Sequence, residues 1–333
     1  MAVGRQGALS TLPSPPLLNA FNPSRTVLRA GLNAFKNPVR AAHRNASGGI
    51  VTALVDLIVM LGMFVVVPTG LALLREPGTR WLRRRWPLAA AAGAASLWLP
   101  RGAAATVLAG AYALATLTLA LYAPRRLART RSLAPGEIAV LTALVTPAVA
   151  GTALVAERSG HQLLGFDLEI LSLTVPHFHF AGFAAALVAG LVCRAARPGR
   201  AGPFAALSVP VGTLLVLAGY FIDDWAELAG AVVLTAGMWL VALVTWRDVR
   251  TTAPDRTTRA LLGGSAAVLV ATMLLALSWA LGEATGLPHP TLAWMAATHG
   301  LGNALGFALC ALLAWHRLRN EPATSHRTAP APV

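Results

Sequence analysis

Nine long apolar runs, separated by short polar connections, constrain this chain more than any other feature of its sequence. A helix needs about 20 apolar residues to cross roughly 30 Å of hydrocarbon, and most of the runs approach or reach that length. The sequence therefore predicts an all-α fold, a polytopic transmembrane bundle of about nine helices. The predicted spans, numbered 1 to 9, are Ile50–Leu74, Pro87–Leu99, Ala103–Tyr122, Ile138–Ala156, Ile170–Cys193, Gly202–Ile222, Leu228–Trp246, Ala260–Leu281 and Thr291–Trp315.

The composition excludes several other classes of protein. With 56% apolar and only 12% charged residues, the 333-residue chain has too little polar surface for soluble domains. The net charge of +14 would suggest nucleic acid in a soluble protein, but the basic residues lie mainly between the apolar runs. We therefore expect the lipid bilayer, and not nucleic acid, as the partner. Cys193 and Cys310 are interpreted as small buried hydrophobes.

The two ends of the chain differ from the apolar centre. Residues 1–49 contain six basic residues, no acidic residue and no long apolar stretch, which predicts a basic, disordered tail. The transmembrane domain is predicted over residues 50–315. Residues 316–333 are predicted to form a cytoplasmic tail.

The charged residues alternate between the connections. Arginines follow spans 1, 3, 5, 7 and 9, and short cytoplasmic loops retain such residues. This pattern predicts a multi-pass protein of the inner membrane of a prokaryote, with its carboxyl terminus in the cytoplasm. The opposite connections are acidic and contain Glu157, Asp167, Glu169, Asp223, Asp224, Glu227 and Glu283.

Span 2 is the shortest predicted span. If it were re-entrant, eight spans would remain, and the arginines at 83, 84 and 85 would move to the outside. Nine spans instead place the basic amino terminus outside. Each arrangement conflicts with one group of basic residues, and we favour nine.

Four ionisable side chains lie inside the predicted spans, where each costs about 2.5 to 3.5 kcal/mol. They are Asp56 in span 1, His177 and His179 in span 5, and His299 in span 9. In the nine-span topology they share a depth of roughly 9 to 14 Å below the outer surface. Asn303 lies on the same helical face as His299. These five residues form the predicted site.

The two histidines of span 5 cannot both face one small centre on a regular helix. Residues two positions apart point about 200° apart, unless Pro176 distorts the turn. Secondary candidates lie at the end of span 6 on the predicted outer side: Tyr220, Asp223 and Asp224.

Three kinds of site fit these residue types. Three imidazoles and a carboxylate (His177, His179, His299 and Asp56) suit zinc and an intramembrane hydrolase. The His-x-His pair is also similar to the haem-ligating helix of haem-copper oxidases, which admits haem b but not a complete oxidase. Imidazoles that titrate near neutral pH, together with an acid, suit transport coupled to protons. The third alternative requires no cofactor.

The histidine motifs resemble the YndJ-like family of bacterial membrane proteins. The resemblance rests on residues 177–183 (HFHFAGF) in span 5 and on His299-Gly300, Asn303-Ala304 and Gly306-Phe307 in span 9. It implies a polytopic fold and a transporter without an established substrate. We expect a small-solute or proton-coupled transporter with a histidine-centred site near the outer face. A metal- or haem-dependent enzyme and a structural or sensory membrane protein are the alternatives, and the sequence leaves the oligomeric state open.

Overall fold

The computed structural model describes residues 38–74 and 76–320, with side chains from residue 49 onward. These residues form helices and connections and contain no β-strand. Nine consecutive helical segments, α1 to α9, account for nearly all of them. The prediction of an all-α polytopic bundle of about nine helices is confirmed.

The helices follow the predicted spans and extend several of them. Helix α1 comprises Pro38–Leu61, Gly62–Val66 and Val67–Leu74, and α2 is Arg80–Leu97. Helix α3 comprises Ala103–Ala120 and Tyr122–Thr130; α4 is Pro135–Ser159; α5 comprises Leu168–His177, Phe178–Ala184 and Ala185–Ala195. Helix α6 is Ala201–Ile222, α7 comprises Asp224–Val244 and Thr245–Val249, and α8 is Arg256–Thr285. Helix α9 comprises Leu292–Met295, Ala296–Gly300, Gly302–Leu309 and Cys310–Asn320.

Eight of the described helices are long and apolar enough to cross a membrane, and α2 is the exception. Large apolar side chains cover the outer surface, including Leu88 at 75% exposure and Val107 at 72%. Apolar surface of this extent is typical of contact with lipid. The chain is therefore an integral membrane protein.

Helix α2 nevertheless runs from one end of the bundle to the other. At its start, the carbonyl of Gly78 accepts a hydrogen bond from Tyr122 at the end of α3. At its end, Arg158 of α4 donates to the carbonyls of Ser96 and Leu97. Helix α3 returns antiparallel to α2, so α2 takes its place as one of the nine packed helices of the described part.

The arginine-rich connections lie together at one end of the bundle, which we call the basic end. Arg194 at the end of α5 pairs with Glu137 at the start of α4. Arg319 at the end of α9 donates to the carbonyl of Leu73 at the end of α1. The alternation of charged connections predicted from the sequence thus corresponds to two physical ends of the bundle.

The two predicted tails fall partly outside the described residues. Residues 38–49 of the amino-terminal tail belong to α1, and residues 1–37 lie outside the described part. Helix α9 continues to Asn320, so the first five residues of the predicted carboxyl-terminal tail are helical. The remainder, residues 321–333, is outside the description.

Candidate functional site

Three helices leave the regular α-helical path where they approach one another. Gly62–Val66 of α1, Phe178–Ala184 of α5 and Gly302–Leu309 of α9 are π-helical, and these three segments contact each other. A second π-helical turn in α9, Ala296–Gly300, contains His299. A π-helical turn bonds i to i+5 and occurs often at functional sites. The irregular backbone thus coincides with the predicted histidine motifs.

His179 is fully buried at this meeting point. Its Nε2 lies 2.5 Å from the hydroxyl of Tyr112 in α3, and the two rings pack edge to face. Its Nδ1 is buried without a hydrogen-bond partner among the described residues. A Cβ atom added at Gly62 would lie 2.9 Å from the imidazole, so α1 can approach His179 this closely because position 62 is glycine.

The indole of Trp86 in α2 extends this buried group. It donates from Nε1 to the carbonyl of Met63 at 2.7 Å, within the π-helical turn of α1. Its ring packs edge to face on Tyr112, with centroids 5.8 Å apart. Trp86 therefore connects the irregular turn of α1 to the partner of His179.

His299 belongs to a closed hydrogen-bond network between α8 and α9. Its Nδ1 lies 2.8 Å from the carbonyl oxygen of Thr272, so Nδ1 carries the proton and donates. Its Nε2 lies 3.1 Å from the side-chain nitrogen of Asn303 and accepts. The Thr272 hydroxyl donates to Oδ1 of Asn303 at 2.8 Å. This pattern assigns a neutral imidazole with both nitrogens engaged.

His177 lies in a different environment from His179. Its side chain is exposed, and it interacts electrostatically with His299. His179 is therefore buried and His177 exposed. This difference agrees with their separation of about 200° around the helix. We refer to Tyr112, His177, His179, His299 and Asn303 as the histidine cluster.

Asp56 is half-buried in α1 and has different neighbours. Its electrostatic partners are Arg158 and Glu157 at the end of α4. No hydrogen bond joins Asp56 to another described residue, and none of the described contacts links it to a histidine. Glu157 is itself buried and pairs with Arg158 and with Arg101. Asp56 therefore belongs electrostatically to the end of the bundle opposite the basic end.

Two of the secondary candidates near the junction of α6 and α7 have structural partners, and the third is exposed. Asp223 is the N-cap of α7, where its carboxylate accepts from the backbone amide of Ala226 at 2.8 Å. Tyr220 packs edge to face on Phe166. Asp224 lies exposed in the first turn of α7. None of the three has a described contact with the histidine cluster.

The predicted zinc ligands do not converge in the described part of the chain. No group of three His, Cys, Asp or Glu side chains converges among the residues that the structure describes. The Nε2 atom of His179 is engaged by Tyr112, and both ring nitrogens of His299 are engaged within the protein. Three of the six imidazole nitrogens of His177, His179 and His299 are thus used in internal hydrogen bonds, while Nδ1 of His179 has no partner among the described residues.

Sequence reasoning missed a second buried polar group, at the basic end, which we call the ionic cluster. Glu76 is 4% exposed and accepts from Arg126 and Arg129, each at 2.6 Å. Arg126 also pairs with Glu137 at 2.8 Å, and Glu137 pairs with Arg194 at 2.9 Å. These five residues join the connection after α1 to α3, α4 and α5. Glu76 and Glu137 were visible in the sequence as acids among basic residues.

Glu76 and Asp255, like Glu137, have pKa values that are lowered by their partners at the basic end. Burial raises the pKa of Glu76, but hydrogen bonds from Arg129 and Arg126 outweigh this effect and hold it below its ordinary value. Hydrogen bonds from Thr258 and the charge of Arg317 lower the pKa of Asp255 to about 2. Both carboxylates are therefore ionised at neutral pH.

These features define a polytopic helical membrane protein that buries neutral histidines among irregular helices. Its sequence matches the family described as YndJ-like protein over residues 57–307, about three quarters of the chain, and the protein belongs to this family. The predicted resemblance is thus confirmed.

A curated relative extends the comparison. The uncharacterized membrane protein YndJ of Bacillus subtilis (strain 168) is 27% identical over 201 residues, which cover 60% of this chain and 36% of the relative. The chain therefore spans about a third of the length of the relative it matches. No solved structure matches the chain.

Proposed function

We propose that this protein is a small-solute transporter coupled to protons, with the histidine cluster as its substrate and proton site. One observation carries the proposal: the π-helical turns of α1, α5 and α9 meet where His179 and Asn303 lie. Single π-helical turns inside α-helices are rare and occur often at functional sites. Interrupted helices that converge on a site are typical of transporters.

The members of the cluster have different roles in this proposal. His177 has an exposed side chain and interacts electrostatically with His299, so we assign to it the uptake of the proton. His299 and Asn303 present one hydrogen-bonded unit that a polar solute can displace. His179 and Tyr112, which are hydrogen-bonded to each other, form the buried side of the proposed site. Asp56 supports proton entry from the end that contains Glu157 and Arg158.

The proposed orientation follows from the basic end. Short cytoplasmic loops retain arginine, so we place the basic end and the carboxyl terminus in the cytoplasm of a prokaryotic cell, with the protein in the inner membrane. A reporter fused after Arg319 is expected in the cytoplasm, and one inserted near Asp223 outside. The reverse result would contradict the orientation and the side from which Asp56 is reached.

Proton coupling can be tested in proteoliposomes that contain a pH-sensitive dye. A panel of amino acids, sugars and organic acids is added outside, and at least one is expected to change the internal pH. His299→Ala and His177→Ala should abolish the response. His161→Ala is the matched control, because His161 is an exposed loop histidine whose side chain bonds only to Ser159. A response that survives in both site variants would refute the histidine-centred mechanism.

A metal- or haem-dependent enzyme is the weaker alternative, because no three potential metal ligands converge among the described residues, and Nε2 of His179 and both nitrogens of His299 are engaged in hydrogen bonds. A structural or sensory role would leave solute flux at the background of empty liposomes. Nucleic acid is not a proposed partner.

A further inference from the structure

A second polar feature lies on the outside of α2, away from the histidine cluster. Gly78, Arg80, Trp81, Arg84 and Arg85 line a surface groove with a volume of about 480 Å³. We call it the arginine groove. Leu82 and Trp86, on the opposite face of α2, are buried in the bundle, so the groove faces away from the bundle interior.

The guanidinium groups of the arginine groove lack acidic partners in the described part of the chain. Arg80, Arg84 and Arg85 pair with no described carboxylate. The arginine ion pairs of the described residues use instead Arg101, Arg126, Arg129, Arg158, Arg194, Arg197 and Arg317. Arg85 instead lies over the ring of Trp81, at 5.8 Å from its centroid. Three cations gathered around one groove favour an anion, and guanidinium binds phosphate with paired hydrogen bonds.

The surroundings of the groove indicate that the phosphate belongs to a lipid. Trp81, Arg84, Arg85 and Leu88 follow one another at i, i+3, i+4 and i+7 and so share one helical face. Leu88 is 75% exposed and lies about 6 Å further along α2 than Arg84. The face therefore presents cations, then apolar surface, in the order of a headgroup and its acyl chain. Trp81, which is 49% exposed, has the amphipathic ring that is common at the membrane interface.

We infer that the arginine groove binds the phosphate headgroup of an anionic phospholipid. Arginines that only fix the orientation of a protein in the membrane need nothing beyond their positive charge. Such a role explains neither the groove that these arginines share nor the position of Trp81 and Leu88 on the same helical face. Basic pockets beside transmembrane helices recognise such headgroups. The inference is independent of any transport activity.

The test uses the full-length protein in nanodiscs of phosphatidylcholine with increasing phosphatidylglycerol. Lipid bound to the protein is counted by native mass spectrometry after extraction. Phosphatidylglycerol should be retained by the unaltered protein, and the double variant Arg84→Gln, Arg85→Gln should weaken retention roughly tenfold. Both arginines are exposed, so the variant should fold.

A control and a competing ligand complete the experiment. Arg200→Gln removes an exposed cation from the connection between α5 and α6 and should leave retention unchanged. Equal retention by the double variant and the unaltered protein, or an equal loss in Arg200→Gln, would overturn the inference. It would also be overturned if inorganic phosphate displaced the lipid and raised the melting temperature to the same extent, since the ligand would then be the free anion.

Discussion

The ionic cluster and the histidine cluster both bury polar side chains, but they satisfy them differently. In the ionic cluster, Glu76 is ionised, held by two arginines and surrounded by regular helices. In the histidine cluster, His299 is neutral, three of the helices have π-helical turns, and Nδ1 of His179 lacks a partner among the described residues. A buried polar group with all its hydrogen bonds made holds the surrounding helices in one arrangement. A buried polar group without a partner, in irregular backbone, is typical of sites that change conformation. The comparison suggests that the basic end provides stability and the interior provides function.

Replacing Glu76 by alanine should have the largest effect on stability. The change leaves Arg126, whose side chain is 11% exposed, without one of its two carboxylates, and breaking a buried pair costs about 3 to 5 kcal/mol. Thermal unfolding in detergent measures the loss. Glu169→Ala is the control, because Glu169 is exposed and forms no described ion pair. Equal losses in the two variants would remove the distinction between the clusters.

Lowering the pH should reproduce part of the loss of stability that is expected for Glu76→Ala. The pKa of Glu76 is lower in the folded protein than its unfolded value of 4.5, so its contribution is complete above that value and is lost as the pH falls through the folded pKa. The melting temperature should therefore fall between about pH 5 and pH 3 in the unaltered protein, and less in Glu76→Gln. Asp255, with a pKa of about 2, titrates below this window. Parallel pH curves for the two proteins would show that Glu76 is not the responsible group.

Disruption of the His299 network should cost less stability but remove function. His299→Ala leaves the carbonyl of Thr272 and the amide of Asn303 unpaired, which costs about 1 to 3 kcal/mol. Combining it with Asn303→Ala should add little, because contacting residues are not additive. Unfolding and dye-reported proton flux are measured on the same samples. Additive losses of stability, with flux preserved, would place His299 among the purely structural residues.

The smallest effect is expected for Tyr112→Phe. The change removes the hydroxyl next to Nε2 of His179 and should cost about 1 kcal/mol. The imidazole signals of ¹⁵N-labelled histidine should shift for His179 and remain unchanged for His161. If the His179 signal did not move, the Tyr112 hydrogen bond would have no part in the cluster.

The sequence predicted the helices better than their interruptions. Span 4, predicted as Ile138–Ala156, is observed as Pro135–Ser159, because its apolar run is continuous. Helix α2 begins at Arg80, seven residues before the predicted start, because the arginines of its first two turns lower the hydropathy without preventing helix formation. The π-helical turns were not predicted, since they depend on contacts between helices.

The site was predicted in part for the same reason. The histidines were recognised in the sequence because ionisable groups are rare in apolar runs. Tyr112 and Thr272, which bond to His179 and His299, also lie in apolar runs but were not recognised. Hydropathy does not distinguish a polar group that faces the interior from one that faces lipid. Asp56 matched the histidines in predicted depth, whereas its charged neighbours come from α4.

Trp86 has an optical consequence. Its indole reports on two parts of the interior at once, because its N–H bonds to the irregular turn of α1 and its ring touches Tyr112. An indole that loses such a bond and meets water emits at longer wavelength. In a variant that retains Trp86 as its single tryptophan, the wavelength of the fluorescence emission maximum would report the movement of α1 in real time, without any attached dye.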